Sequence, residues 1–203
     1  MTGHIRIIFA AITAIVLLST PVWAQRIQID LGVGAHTILA DLQVEAPMGR
    51  ATLFAGGGGM YDEDDYTLFN LKTGLKQSIF APALTFGLGF KGIAGEYETR
   101  HHDDFDVAAI GFTALGECDL ARTQAAVPLT LYSDLTLAPD PLCFDDCEEY
   151  LEWTAGVEFN LIENGAIFAQ YTRMETELDI DGRGDDDTTD NIVQLGFRLI
   201  FGR

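Results

Sequence analysis

The stretch that decides the fold is NIVQLGFRLIF, residues 191–201 of this 203-residue chain. Every second residue from Val193 to Phe201 is large and apolar, while the positions between them include Gln194, Gly196 and Arg198. This period of two predicts a β-strand with one apolar face and one mixed face.

The other end of the chain reads as a signal peptide. A basic start at His4 and Arg6 precedes a short apolar run, residues 7–18, and then Pro21 and the small-residue site Val22-Trp23-Ala24. The run is shorter than the roughly 20 residues that a spanning helix needs. We therefore expect residues 1–24 to be removed and residues 25–203 to form a single domain.

Alternating patterns predict about ten strands in the mature chain. They cover residues 27–35, 39–46, 51–61, 66–77, 83–97, 106–115, 129–137, 150–161, 166–178 and 191–201. Most reach the roughly 9–11 residues of a tilted strand that crosses a bilayer. The prediction is an all-β fold, a transmembrane antiparallel up-and-down barrel, with a soluble β-sandwich as the competing architecture.

The connections between predicted strands alternate between short turns and longer acidic segments. Barrels of the outer membrane have short periplasmic turns and longer outer loops, so both termini are expected in the periplasm and the acidic loops outside. Aromatic residues near strand ends suggest two interfacial girdles. These aromatics are Tyr61, Tyr66, Tyr97, Tyr150, Trp153 and Phe201.

The end of the chain adds an assembly signal. Gln194, Gly196, Leu199 and Phe201 resemble the pattern by which bacterial barrels are recognised for outer-membrane assembly, although Gly202 and Arg203 follow the aromatic residue. The expected partners are outer-membrane lipid and the barrel-assembly machinery, with the protein itself a monomer. A formal net charge of −19 argues against nucleic acid, whose phosphates need Lys and Arg.

Charged residues fall on the mixed faces of the predicted strands and are expected to line the lumen. They are Asp30, Asp41, Glu45, Lys72, Lys76, Lys91, Asp134, Glu152, Glu158 and Arg198. Ten strands lie close to the size at which side chains fill a barrel, which predicts a closed or narrow lumen. The alternative is a small pore that prefers cations because acids are in surplus.

One acidic segment partly follows the spacing of a calcium-binding loop. Its candidate ligands are Asp179, Asp181, Asp185, Asp187 and Asp190. Arg183 occupies a ligand position and no helices flank the segment, so weak divalent binding at the acidic loops is the expectation, without any other cofactor. A solvated loop with no ion is the alternative.

Cysteine spacing predicts a local disulfide. Cys143 and Cys147 lie in one outer loop, and an oxidising compartment permits their bond. Cys118 falls on the periplasmic side, too far away to pair with either.

Catalysis is a second alternative. His101, His102, Asp103 and Asp104 lie where a hydrolase acting at the outer rim of a barrel would place its residues. A polar loop tip without catalytic geometry explains the same residues. No catalytic residue is assigned.

Three short stretches resemble the YfaZ-like family of small Gram-negative outer-membrane proteins. They are residues 129–140, residues 153–156 (Trp-Thr-Ala-Gly) and residues 169–173 (Ala-Gln-Tyr-Thr-Arg). The resemblance implies a porin-like barrel in the outer membrane and carries over no catalytic residue. The expected role is structural or surface interaction.

Overall fold

The computed structural model describes residues 26–63, 66–98, 104–145, 147–180 and 184–202, which form a closed antiparallel β-barrel. Ten long strands make the wall, and one three-residue strand, β8, lies beside β6. The strands are β1 Arg26–Val33, β2 Thr37–Met48, β3 Ala51–Asp62, β4 Tyr66–Ser78, β5 Leu84–Glu98, β6 Asp104–Asp119, β7 Leu129–Ala138, β8 Cys143–Asp145, β9 Cys147–Ile162, β10 Gly165–Ile180 and β11 Gly184–Phe201. The predicted fold class is confirmed. The predicted signal peptide, residues 1–24, lies outside the described residues.

The strands follow one another around the barrel in chain order. Each long strand pairs with its neighbours in the chain, with β7 pairing to β9 past the short β8. The first and last strands close the cylinder, where Ile27 lies opposite Phe201 and Asp30 lies opposite Arg198. Closure gives every long strand two hydrogen-bonded neighbours and removes the exposed edges that an open sheet would have.

The two ends of the barrel differ in their connections. At the terminus end, where β1 begins and β11 finishes, the connections are residues 49–50, 79–83, 120–128 and 163–164. The acidic segments join the strands at the opposite end, which we call the loop end. The described residues contain no helix that is long and apolar enough to cross a membrane.

The predicted connection over residues 179–190 is wrong for residues 179–180 and 184–190, while residues 181–183 lie outside the described part of the chain. β10 continues to Ile180 and β11 begins at Gly184, with Asp179 paired to Asp185 and Glu177 to Asp187. Acidic residues are poor strand formers, which is why the sequence suggested a loop. The hairpin ladder satisfies the backbone groups whatever the side chains are, so the strands run further than the alternating pattern does.

Side chains alternate between the outside and the inside of the barrel along every long strand. The outward positions carry large apolar side chains that are 37 % or more exposed, and we call this surface the apolar belt. It includes Leu31, Val33, Ile38, Leu53, Phe69, Leu75, Phe86, Leu88, Phe90, Ile110, Phe112, Leu131, Leu135, Trp153, Phe159, Ile167, Val193, Leu195 and Phe197.

The predicted aromatic girdles are only partly correct. Tyr61, Trp153 and Phe201 are exposed on the outside. The other three, Tyr66, Tyr97 and Tyr150, are buried inside the barrel. Position near a strand end suggested a girdle, but the alternation of side chains places these three inward.

Candidate functional site in the barrel interior

The terminus half of the interior is a polar cavity of about 750 Å³, which we call the vestibule. Its lining reaches the terminus-end connections at Arg50, Arg122 and Glu163, so it opens at that end. Seven of the eight Lys and Arg residues in the described part of the chain line it. They are Arg26, Arg50, Lys72, Lys76, Lys91, Arg122 and Arg198.

Arg198 is the centre of one ion cluster of the barrel interior. Its Nε and Nη2 donate to the two carboxylate oxygens of Asp30 at 2.8 and 2.7 Å, and its Nη1 donates to Glu158. The guanidinium also lies 5.2 Å from the ring centre of Tyr132 and 5.7 Å from that of Phe168. A planar fork matches a carboxylate and stacks on aromatic rings, which a lysine could not do in the same way.

Two close approaches make room for those rings. A Cβ on Gly156 would lie 2.4 Å from the Tyr132 ring, and one on Gly196 would lie 2.4 Å from the Phe168 ring and 2.3 Å from the Leu31 carbonyl oxygen. The two rings therefore contact glycines of the neighbouring strands, where a larger residue would collide with them.

The three lysines of the vestibule each pair with carboxylates across the lumen. Lys76 bridges Glu45 at 2.8 Å and Glu117 at 3.1 Å, and Lys72 lies 2.9 Å from Asp41. The Nζ atom of Lys91 donates to both Glu152 oxygens, at 2.6 and 2.7 Å. Charges buried in this way are retained because each has a partner.

The predicted lumen residues therefore lie together inside the barrel. Asp134, the one without a direct ion pair among the described residues, lines the vestibule with Lys72 and Lys91. Sequence reasoning missed Glu117, which it placed in a connection. The structure extends β6 to Asp119, so Glu117 continues the inward alternation of Thr113 and Leu115. That continuing alternation was the signal that could have found it.

Gln194 also faces inward and is fully buried. It accepts a hydrogen bond from Gln170 at 2.8 Å and donates to Thr37 at 3.2 Å, while Tyr132 donates to Gln170 at 3.1 Å. This chain of polar groups crosses from β7 to β2. It gives Gln194 a structural role besides the predicted role in assembly.

The loop half of the interior is filled by an apolar cluster, which we call the plug. Its members are Tyr66, Leu68, Ile93, Tyr97, Val107, Ala109, Ala138, Cys147, Tyr150, Met174 and Ile192, with Met60 and Cys143 packed against them. Tyr150, Met174 and Val107 are each 1 % exposed. The Tyr66 and Tyr97 rings pack with their centres 5.3 Å apart.

The plug ends the vestibule. A second cavity of about 60 Å³ lies between them, lined in part by Met60, Leu68 and Tyr150. Neither cavity reaches Tyr97, Val107 or Met174. Among the described residues, the vestibule is therefore blind at its inner end. The Tyr150 hydroxyl joins the two halves by donating to Glu152 at 2.7 Å.

Charge is distributed as unevenly as polarity. Outside the vestibule, the described acidic residues gather at the loop end, where the exposed Arg173 pairs with Glu175. They include Asp62, Glu63, Glu96, Asp106, Asp140, Asp145, Glu148, Glu149, Glu175, Glu177 and Asp190. The loop end therefore carries the large negative charge, while cations and anions nearly balance in the vestibule.

The described residues among the metal, hydrolase and disulfide candidates lie at the loop end. The backbones of Asp179, Asp185, Asp187 and Asp190 lie on β10 and β11, while Asp181 lies outside the described residues. The described residues contain no group of three His, Cys, Asp or Glu side chains that could hold a metal ion. Residues 101–103 also lie outside, and Asp104 begins β6. Calcium binding and catalysis stay predictions.

The cysteines occupy opposite ends of the barrel. Cys143 and Cys147 are free thiols. Cys147 belongs to the plug, and Cys143 packs against it and donates to the Ala138 carbonyl oxygen at 3.4 Å. Cys118 lies opposite Leu84, near the terminus end. The predicted disulfide between Cys143 and Cys147 stays a prediction.

Comparison with solved structures finds distant similarity to outer-membrane proteins. It is similar to OmpT of Vibrio cholerae (16 % identity, 81 % of this chain and 56 % of that chain, TM-score 0.41). It is also similar to the channel DcaP of Acinetobacter baumannii (12 %, 85 % and 54 %, 0.42) and to the KdgM porin (11 %, 87 % and 99 %, 0.42). The chain thus spans little more than half the length of OmpT and DcaP. No protein-family model matches it. No curated protein matches it either.

Proposed function

We propose that this chain is a non-conducting barrel of the Gram-negative outer membrane, with a structural or surface-interaction role and no catalytic activity. The observation that carries the proposal is the plug. Its tightly packed side chains fill the loop half of the lumen, so the vestibule has no continuation through the described part of the barrel. The second candidate function is a small cation-preferring pore, which would need a connected polar path through the lumen.

The outer surface supports the membrane location. Backbone polar groups must all be satisfied in a bilayer, and a closed barrel does this where an open sheet does not. The apolar belt then meets lipid, with exposed apolar side chains such as Leu88, Phe90, Val193 and Phe197. A soluble sandwich would instead turn its apolar face inward and its charged face to water.

The acidic loop end is the surface that we propose for interaction. With the termini in the periplasm, this end faces the exterior and its carboxylates attract hard divalent cations weakly. The resemblance to the YfaZ-like family agrees with such a role. The protein would insert through the barrel-assembly machinery after removal of residues 1–24 and work as a monomer.

Membrane fractionation and planar-bilayer recording test the proposal together. The protein should stay with the outer-membrane fraction until detergent is added, and the purified barrel should give no steady current. Extraction without detergent would contradict the membrane location. A steady cation-selective current would contradict the closed lumen and favour the pore.

A further inference from the structure

Each of the four terminus-end connections has a large exposed apolar side chain within it or directly before it. Met48 precedes the turn from β2 to β3, and Phe80 lies in the turn from β4 to β5. Val127 lies between β6 and β7. Ile162 ends β9, and its side chain also lines the mouth of the vestibule. Their exposed fractions are 62 % for Met48, 99 % for Phe80, 40 % for Val127 and 69 % for Ile162. We call these four side chains the terminus rim.

Phe80 stands out because its backbone is in the left-handed region, with φ at 61°. A bulky residue rarely adopts this conformation, and such strain persists only where the surroundings impose it. Three backbone hydrogen bonds close the turn: Ile79 N to Leu84 O, Ala81 N to Ile79 O, and Leu84 N to Ala81 O. The turn therefore holds the Phe80 ring away from the barrel.

The rim lies at the terminus end of the apolar belt, where the Arg122–Asp119 ion pair at 2.9 Å keeps the local charge near zero. Leu84, Leu161 and Phe201 are exposed on the outside at the same end. The four connections contain Arg50, Arg122 and Glu163 as their charged residues, in contrast to the acidic loop end. A neutral to slightly basic end suits a leaflet of phosphate headgroups, where Arg and Lys are attracted and acids are repelled.

We propose that the terminus rim inserts into the headgroup–acyl boundary of the phospholipid leaflet on the terminus side. The proposal rests on the membrane location proposed above. At that depth the apolar side chains of the rim are removed from water, which is energetically favourable. The mouth of the vestibule then opens at the membrane surface rather than beyond it.

Single-tryptophan variants in lipid vesicles test this depth. Trp23→Phe and Trp153→Phe remove both tryptophans of the chain. On that background, Phe80→Trp and Met48→Trp probe the rim, Leu195→Trp the belt, and Thr189→Trp the exposed loop end. The full-length barrels are refolded into phosphatidylethanolamine–phosphatidylglycerol vesicles, and heat-modifiable gel mobility selects the folded ones. Brominated lipids and iodide then quench the emission from the lipid side and the water side.

The expected result is a blue-shifted emission at positions 48 and 80 that is lost with lipids brominated near the headgroup. Position 195 should lose emission with lipids brominated deeper, and position 189 with iodide. Iodide quenching at positions 48 and 80, as at 189, combined with bromine quenching at 195, would overturn the rim proposal alone. The rim would then be free for a protein partner. No bromine quenching at 195 would overturn the membrane location itself.

Discussion

The two halves of the barrel interior share the same strands and the same alternation, yet they are filled by opposite chemistry. Near the termini, Lys72, Lys76, Lys91 and Arg198 pair with carboxylates around open space. Near the loops, tyrosines, aliphatic residues and a methionine pack without charge. Alternation therefore fixes which side chains point inward, and the residue types at each height decide whether the lumen is open.

The contrast also separates two ways of filling a lumen. Paired charges can surround open space because water still reaches them, whereas an apolar cluster is stable only when it is closely packed. The hydrogen bond from Tyr150 to Glu152 lies where one arrangement gives way to the other. The plug then acts as the seal, and the vestibule as a recess behind it.

Emptying the plug should have the largest effect. Tyr97→Ala combined with Tyr150→Ala removes two buried rings and should turn a silent barrel into one that passes a steady current, cation-selective because the loop end is acidic. Planar-bilayer recording measures this. Phe90→Ala combined with Phe112→Ala, which removes two exposed outer rings, is the matched control and should stay silent. A double plug variant that folds and stays silent would show that the plug is not the seal.

Removing Arg198, the cation of the Asp30–Glu158 cluster, should have the second largest effect. Arg198→Met leaves Asp30 and Glu158 without their partner and should lower the free energy of unfolding by about 3 kcal/mol. Arg173→Met breaks an exposed pair with Glu175 and should cost less than about 1 kcal/mol. Urea unfolding in vesicles, followed by Trp153 fluorescence, compares the two. Equal losses in the free energy of unfolding would mean that water in the vestibule screens the charges there as strongly as bulk water does at the surface.

Crowding the vestibule wall should have a smaller effect. Gly196→Ala places a Cβ against the Leu31 carbonyl and the Phe168 ring and should destabilise the barrel by about 2 kcal/mol. Gly116→Ala meets nothing within 4 Å and should be neutral. The same unfolding assay on refolded protein separates this packing role from the predicted assembly role of Gly196. A neutral Gly196→Ala would leave assembly as the reason for the glycine.

Closing the cysteine pair beside the plug should have the smallest effect. Oxidation of Cys143 and Cys147 would close a small ring and should stabilise the barrel by about 2 kcal/mol or less. Counting thiols with a polyethylene-glycol maleimide in denaturant should find one, Cys118, after oxidation and three after reduction. Three reactive thiols after oxidation would rule out the local disulfide.

Much of the fold was predictable because outward apolar residues alternate with inward residues of mixed polarity along each barrel strand. Val193 to Phe201 and Gln194 to Arg198 show this on β11. Strand ends were less predictable, since the ladder between Glu177 and Asp187 continues through acids that disfavour strands.

The interior was predictable only in part. Alternation brings Asp30, Glu158 and Arg198 inside, but which acid meets which base depends on strand stagger, which sequence does not display. The plug was missed because Tyr66, Tyr97 and Tyr150 lie near strand ends, where aromatics also form girdles. Recognising the plug from sequence would have required two properties of these tyrosines together: their position along the barrel axis and the inward direction of their side chains.

The most direct measurement of the central claim is the reach of a reagent into the vestibule from each side. With Cys118, Cys143 and Cys147 replaced by Ala, Thr130→Cys places one thiol in the vestibule lining. A membrane-impermeant maleimide, applied to vesicles with the barrel in one orientation, should label it from the terminus side and leave it unlabelled from the loop side. Equal labelling from both sides would contradict a lumen sealed by the plug.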